Sequence, residues 1–188
     1  MGETVKGYLT KCIWVTVIIF ALRLLAIPKL IYVLEITSVY DVFGCIGEAI
    51  GIAGAFMLLY ERLLWRINPF EKTPRISGNY SGVIEYQYNN GGQKEVTVTL
   101  RQSLLSVKIL MNTDEVSSRS ISSLILDDGN ENVLIYTYIT QPKSKVSKAN
   151  PIAYGTCRMS LEKSGVLRGT YWTSQATIGD ILLTYQSK

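Results

Sequence analysis

Two long apolar runs near the start constrain this chain more than any other feature. The first, "CIWVTVIIFALRLLAI", Cys12 to Ile27, follows Lys6 and Lys11 and is interrupted by Arg23; the second, Val42 to Tyr60, carries one charge, Glu48. At about 1.5 Å per residue the second run covers most of a hydrocarbon core ~30 Å thick. Lipid offers no partner to a backbone N–H or C=O, so such runs satisfy themselves as helices. A basic start and an apolar core also describe a signal peptide, but no small-x-small cleavage site follows before the second run begins. Two spans bring both flanks to one side. Lys6 and Lys11 before them and Arg62, Arg66, Lys72 and Arg75 after them, against Glu35 and Asp41 with Lys29 in the connector, predict cytoplasmic termini. Tyr60 and Trp65 are then expected at the inner interface. The connector "PKLIYVLEITSVY" is apolar for a loop, and either lies in the outer interface or extends the first span past Pro28.

The second run holds an unusual stretch, "GCIGEAIGIAGA", Gly44 to Ala55. A bare anchor needs neither its glycines nor its acid. Gly47, Gly51 and Ala55 repeat every fourth residue, and Gly44, Glu48, Gly51 and Ala55 share one helical stripe. Small residues at this spacing let helix backbones touch. The stripe is either a surface for assembly between chains or the seat of the first span in the same chain. Counted from opposite edges of the core, Arg23 lies roughly 21 Å deep and Glu48 roughly 9 Å deep. In a ~30 Å core these are one level, and either charge alone there is costly, so the two are expected to pair.

Pro74 marks the change to a different pattern, dividing a membrane module, 1–73, from a soluble one, 74–188. From there no helical period persists. About eight short segments alternate apolar and polar residues between turn signals: "RISGNYSGVIEYQY", "KEVTVTLRQ", "LSVKILM", "RSISSLIL", "NVLIYTYIT", "IAYGTCRMSLE", "VLRGTYWT" and "IGDILLTY". Asn89–Gly92 and Asp127–Asn130 read as hairpin turns. Val96, Val98 and Leu100 oppose Thr97, Thr99 and Arg101; Val107, Ile109 and Met111 oppose Lys108; Gly179, Ile181, Leu183 and Tyr185 oppose Asp180 and Thr184. One dry and one wet face on each strand predicts a closed antiparallel barrel, with a sandwich as the alternative. About eight strands enclose side chains and one small ligand. Gly78, Gly82, Gly155, Gly169 and Gly179 fall inside strands, where such a sheet bends.

Composition narrows the chemistry. The 188 residues include no histidine, which removes Ser-His-Asp and Cys-His nucleophiles and nearly all catalytic zinc sites. The carboxylates form no motif-like pairs, so no enzymatic activity is expected. Cys12, Cys45 and Cys157 define neither a disulfide framework nor a zinc spacing. A net charge of +4 fits a membrane-facing excess or an anionic ligand, and is too small to argue for duplex nucleic acid.

The soluble module is rich in tyrosine. Tyr80, Tyr86, Tyr88, Tyr136, Tyr138, Tyr154 and Tyr171 with Trp172 lie in strands, and Arg119, Arg158 and Arg168 sit among them. Aromatic faces beside guanidinium forks suit a ligand of bases and phosphates. Tyrosine is also a good strand former that covers outer faces. Arg119 is in phase with Ile121 and Ile125, and Tyr171 with Leu167 and Gly169, which points both inward. The candidate ligand contacts are Tyr80, Arg119, Tyr138, Tyr154, Arg158, Arg168 and Tyr171; the candidate assembly residues are Arg23, Gly44, Gly47, Glu48, Gly51 and Ala55. Lys143, Lys145 and Lys148 in "QPKSKVSKAN" form either a solvated loop or a contact to anionic headgroups or ligand.

Two cytoplasm-facing spans joined almost directly to a barrel of about eight strands resemble the CBASS anti-phage membrane effectors of the two-transmembrane plus β-barrel type, the CD-NTase-associated protein 15 family. "ISGNYSGVI", Ile76 to Ile84, and "LRGTYWT", Leu167 to Thr173, look like the Gly-x-Tyr strands of that barrel, and the order of modules carries the likeness over nearly the whole chain. The resemblance implies a receptor in the bacterial inner membrane. A cyclic di- or oligonucleotide made by a cognate CD-NTase binds the barrel, the chains self-associate among inner-membrane lipids and disrupt the bilayer, and the infected cell dies before phage matures. It implies no cofactor beyond that activating ligand, and supplies no residue motif for the ligand site. The alternative is a membrane-tethered, lipocalin-like carrier of a lipid or small metabolite, which predicts an apolar cavity with few inward cations and no role for the glycine stripe.

Overall fold

The computed structural model describes residues 3–25, 39–87, 91–146, 151–162 and 164–186. Most of "PKLIYVLEITSVY", together with Tyr88, Asn89, Asn90 and Lys148, lies outside the described residues. The chain divides into two compact units, Met1–Thr73 and Pro74–Lys188.

In the first unit, helix α1 (Glu3–Leu25) packs against helix α2 (Val39–Arg62), which is followed by a single 3₁₀ turn, Leu64–Arg66. Both helices are long and apolar enough to span a membrane. The buried side of α2 is Cys45, Ala49, Ala53 and Met57, every fourth residue, and the Tyr8 hydroxyl of α1 donates to the Met57 carbonyl at 3.0 Å. The glycine stripe is not the seat of α1. At Gly44, Gly47, Gly51 and Gly54 an added Cβ would meet nothing within 4 Å, and Ala55 is exposed. Arg23 and Glu48 meet within the hairpin, Nε donating to Oε2 at 2.9 Å. At the other end Lys11 donates to Glu71 at 2.6 Å, the Tyr60 hydroxyl donates to the same carboxylate oxygen at 3.0 Å, and Asn68 donates to that hydroxyl at 2.7 Å. These bonds tie α1 to the segment that follows α2.

The second unit is a closed up-and-down barrel in which each strand pairs antiparallel with the next and β8 closes on β1. The strands are β1 (Gly78–Tyr86), β2 (Gly92–Gln102), β3 (Val107–Asn112), β4 (Val116–Asp127), β5 (Asn132–Pro142), β6 (Ala153–Leu161), β7 (Val166–Thr173) and β8 (Ile178–Tyr185). Period-two alternation sends Val96, Val98, Leu100, Ile109, Leu134, Met159, Leu167, Ile181 and Leu183 into one core. That core fills one end. There Gln102 fastens the entering chain, accepting from the Ile76 amide at 2.8 Å and donating to the Pro74 carbonyl at 2.7 Å. Tight closure of the sheet needs glycine: a Cβ at Gly82 would lie 1.8 Å from the Leu182 carbonyl oxygen, and one at Gly169 1.8 Å from that of Arg158.

One strand is irregular. The β4–β5 register shifts between Ser120 and Ser122, so Ile121 is the extra residue of a bulge. Around it the Ser120 and Ser123 hydroxyls accept from the Ile109 and Val107 amides of β3 at 3.0 and 3.1 Å, taking over the backbone ladder.

Candidate ligand cavity

At the end of the barrel opposite Pro74 the interior is unfilled, leaving a cavity of about 670 Å³, within the range of small-molecule sites. Its mouth lies beside the β3–β4 turn. Tyr86, Tyr136, Tyr138 and Tyr171 form the aromatic lining. Tyr136 and Tyr138, two apart on β5, place their ring centroids 5.7 Å apart.

Three of these rings lie against a cross-strand glycine. Tyr138 pairs with Gly155, Tyr171 with Gly179 and Tyr86 with Gly92. A Cβ on the glycine would come within 2.4 Å of the Tyr138 ring, 2.7 Å of the Tyr171 ring and 2.5 Å of the Tyr86 hydroxyl. A missing side chain on one strand thus gives the neighbouring ring room to lie across it.

The polar groups in the wall are mostly neutral. Burial, and after it the adjacent Cys157 thiol, raises the Tyr136 phenol well above its ordinary range. Burial likewise raises Tyr138 and Tyr171 and pushes the Cys157 thiol up to about 12. Among the described residues the buried Tyr136 hydroxyl meets only the Cys157 thiol, a weak partner, and no oxygen or nitrogen.

The cations are arranged differently from the sequence expectation. Arg119 borders the cavity, between Ser118 and Ser120, but is exposed and pairs in register with Leu110 and Ile139, both on the outward phase. The inward phase inferred from Ile121 and Ile125 is broken by the bulge, which reverses the alternation between Arg119 and Ile125. Among the described residues the inward cation is Lys94. It follows the phase of Val96, Val98 and Leu100, pairs with the Glu115 carboxylate and lies 5.8 Å from the Tyr86 ring centroid. Sequence reasoning missed Lys94 and Glu115; extending the β2 alternation by one step would have found the lysine.

Of the remaining candidates, the structure brings Tyr138 and Tyr171 to the cavity. Tyr80 is buried at the closed end, its hydroxyl donating to the Ile76 carbonyl at 3.0 Å. Tyr154 is 58% exposed on the outer face. Arg158 also faces outward, pairing with Glu131 at 3.5 Å and Asp128 at 3.8 Å, and Arg168 pairs with Glu162 at 3.5 Å. These four are away from the cavity.

Residues 71–185 match the family model described as Cap15, cyclic dinucleotide receptor domain. A relative named CD-NTase-associated protein 15, from Staphylococcus schleiferi, is 34% identical over 188 residues, covering 97% of this chain and 98% of the relative.

Proposed function

The chain belongs to the Cap15 family, and on that premise we propose that its barrel binds a cyclic dinucleotide made by a partner nucleotidyltransferase and that its helices deliver the response in the bacterial inner membrane. The observation that carries the reading is the tyrosine-lined cavity of about 670 Å³ in a domain of this family. Aromatic faces stack on bases without choosing among them, and neutral phenols and Lys94 answer phosphate oxygens. Tyr138 and Tyr171 are the stacking residues in this reading, with Arg119 at the border. No catalytic step is involved.

The output is self-association followed by disruption of the bilayer and death of the infected cell. A ligand drives assembly only through a higher affinity for the assembled state. Gly44, Gly47, Gly51 and Ala55 stand open on α2 and support close contact between hairpins. Lys6, Lys11, Arg62, Arg66, Lys72 and Arg75 support cytoplasmic termini and a cytoplasmic barrel.

A carrier of a lipid or small metabolite draws on one observation: among the described lining residues Lys94 is the sole cation with an inward register, and Glu115 neutralises it. Calorimetric titration of the full chain in nanodiscs separates the readings, with cyclic di-AMP, cyclic di-GMP, mixed purine–pyrimidine cyclic dinucleotides and oleate as probes. A receptor binds a member of the nucleotide panel and loses about 10- to 100-fold in affinity on Tyr138→Ala, the scale of one lost stacking partner. Uptake of oleate with no nucleotide binding would establish the carrier instead.

A further inference from the structure

The Lys94–Glu115 pair occupies the part of the cavity where a ligand anion has to go. Lys94 is the inward cation, and its ammonium is held between the Tyr86 ring and the Glu115 carboxylate. Both side chains are about one-third exposed, 31% and 36%, so the pair stands at the mouth rather than in the packed core. A cyclic dinucleotide carries two phosphodiester anions. If Glu115 stayed in place, an incoming phosphate would meet a neutralised lysine and a like charge beside it, in a site of reduced dielectric. A carboxylate and a phosphodiester each present two charge-sharing oxygens, so one ammonium can serve either in turn.

Glu115 is also placed to leave. It belongs to the β3–β4 turn rather than to a strand, and its amide and that of Val116 donate to the Thr113 hydroxyl at 3.3 and 3.0 Å. The turn is clasped from the β5–β6 side by Lys143, whose amide donates to the Glu115 carbonyl at 2.8 Å. The Lys143 ammonium donates to the Thr113 and Asp114 carbonyls at 3.0 and 2.9 Å. All of these bonds hold backbone or the Thr113 side chain. None of them restrains the Glu115 carboxylate, which can swing away while the turn stays folded.

Resting on the reading of the barrel as a cyclic dinucleotide receptor, we propose that the Glu115 carboxylate stands in for a ligand phosphate on Lys94, and that the ligand binds by exchanging with it. Glu115 then acts as a built-in competitor. It keeps the empty cavity electrically balanced, and it sets a threshold of ligand concentration below which the barrel stays unoccupied.

The test is a double-mutant cycle on the full chain in nanodiscs, with Glu115→Gln, Lys94→Met and the double variant titrated with cyclic di-AMP, cyclic di-GMP and the mixed cyclic dinucleotides. Glu115→Gln is expected to bind at least threefold more tightly than the unaltered chain, and Lys94→Met about tenfold more weakly. The double variant is expected to bind no more tightly than Lys94→Met, because the competitor matters only where the contested lysine is present. Melting curves establish that each variant is folded, and Lys94→Gln replaces Lys94→Met if the latter is not. Equal or weaker binding by Glu115→Gln overturns the exchange while leaving the receptor reading intact. A gain that persists in the Lys94→Met background overturns it too, since the effect would then be a general field. If the unaltered chain binds no member of the panel, the receptor reading fails and the exchange falls with it.

Discussion

Cys157 shows how far one buried group can be read. Its thiol faces the cavity wall at the tyrosine level, and burial lifts it from an ordinary 9.0 to about 12. The folded state therefore holds the proton more tightly than the unfolded state does. Stability from this group is full below pH 9 and is lost as pH rises toward 12. By pH 10.5 the loss is about 2 kcal/mol. Unfolding free energies from urea titrations between pH 8 and 10.5 should fall by at least that amount, and Cys157→Ala should flatten the part of the curve that begins near pH 9, leaving the later decline from Tyr136, Tyr138 and Tyr171. A midpoint in Cys157→Ala that falls as steeply as in the parent would mean the thiol is not the group that titrates. Lys94 was legible at this scale, since strict alternation from Val96 places it inward. Arg119 was not, because a single inserted residue at the bulge reverses the phase on which its assignment depended.

The strands as elements were the easiest part of the chain to read. All eight segments picked out by alternation correspond to strands, since a half-buried sheet writes its period directly into the sequence. Closure, in contrast, depends on backbone approach. Gly82 and Gly169 leave no space for a Cβ because a carbonyl oxygen of the neighbouring strand occupies it. Gly169→Val should cost about 3 kcal/mol or more, as the strand must separate from β6 or kink. Thermal unfolding followed by near-ultraviolet circular dichroism measures this, and a cooperative transition within a few degrees of the parent would refute the close-approach argument. The tyrosine–glycine pairs follow the same logic, yet which glycine faces which ring becomes visible only with the strand register.

On the scale of the whole molecule, the proposed output rests on the open face of α2. Gly51→Leu fills that face, where an added Cβ meets nothing within 4 Å. It should leave membrane insertion and nucleotide affinity unchanged and abolish killing in cells producing the ligand, scored by colony survival. Full toxicity in Gly51→Leu would place the output elsewhere. The Arg23–Glu48 pair belongs to the same question, because it is satisfied within one hairpin and so keeps a single chain free of unpaired charge in lipid. Interhelical polar contacts in membranes average about 0.6 kcal/mol and reach about 1.7. Gathering hairpins can exchange the Arg23–Glu48 pair only for an equivalent pairing between chains, since either charge alone in lipid is costly. Arg23→Leu combined with Glu48→Gln should restore the hairpin stability that either change alone removes, measured by steric trapping in bicelles.

Hydrophobic period and length alone determined the two helices, the eight strands and the level at which Arg23 and Glu48 meet, because each follows from spacing along one chain, and composition alone removed histidine chemistry. Tertiary structure decided the rest. Both the stripe through Cys45, Ala49 and Ala53 and the stripe through Gly47, Gly51 and Ala55 offer small residues at four-residue spacing. No periodicity distinguishes them, and only packing against α1 selects the first and leaves the second open. The same holds in the barrel, where Lys94 and Glu115 lie 21 residues apart and belong to different elements. Their pairing, and the removal of Arg158 and Arg168 to the outer face, depend on strand register and on the side chains that fill one end of the interior and not the other.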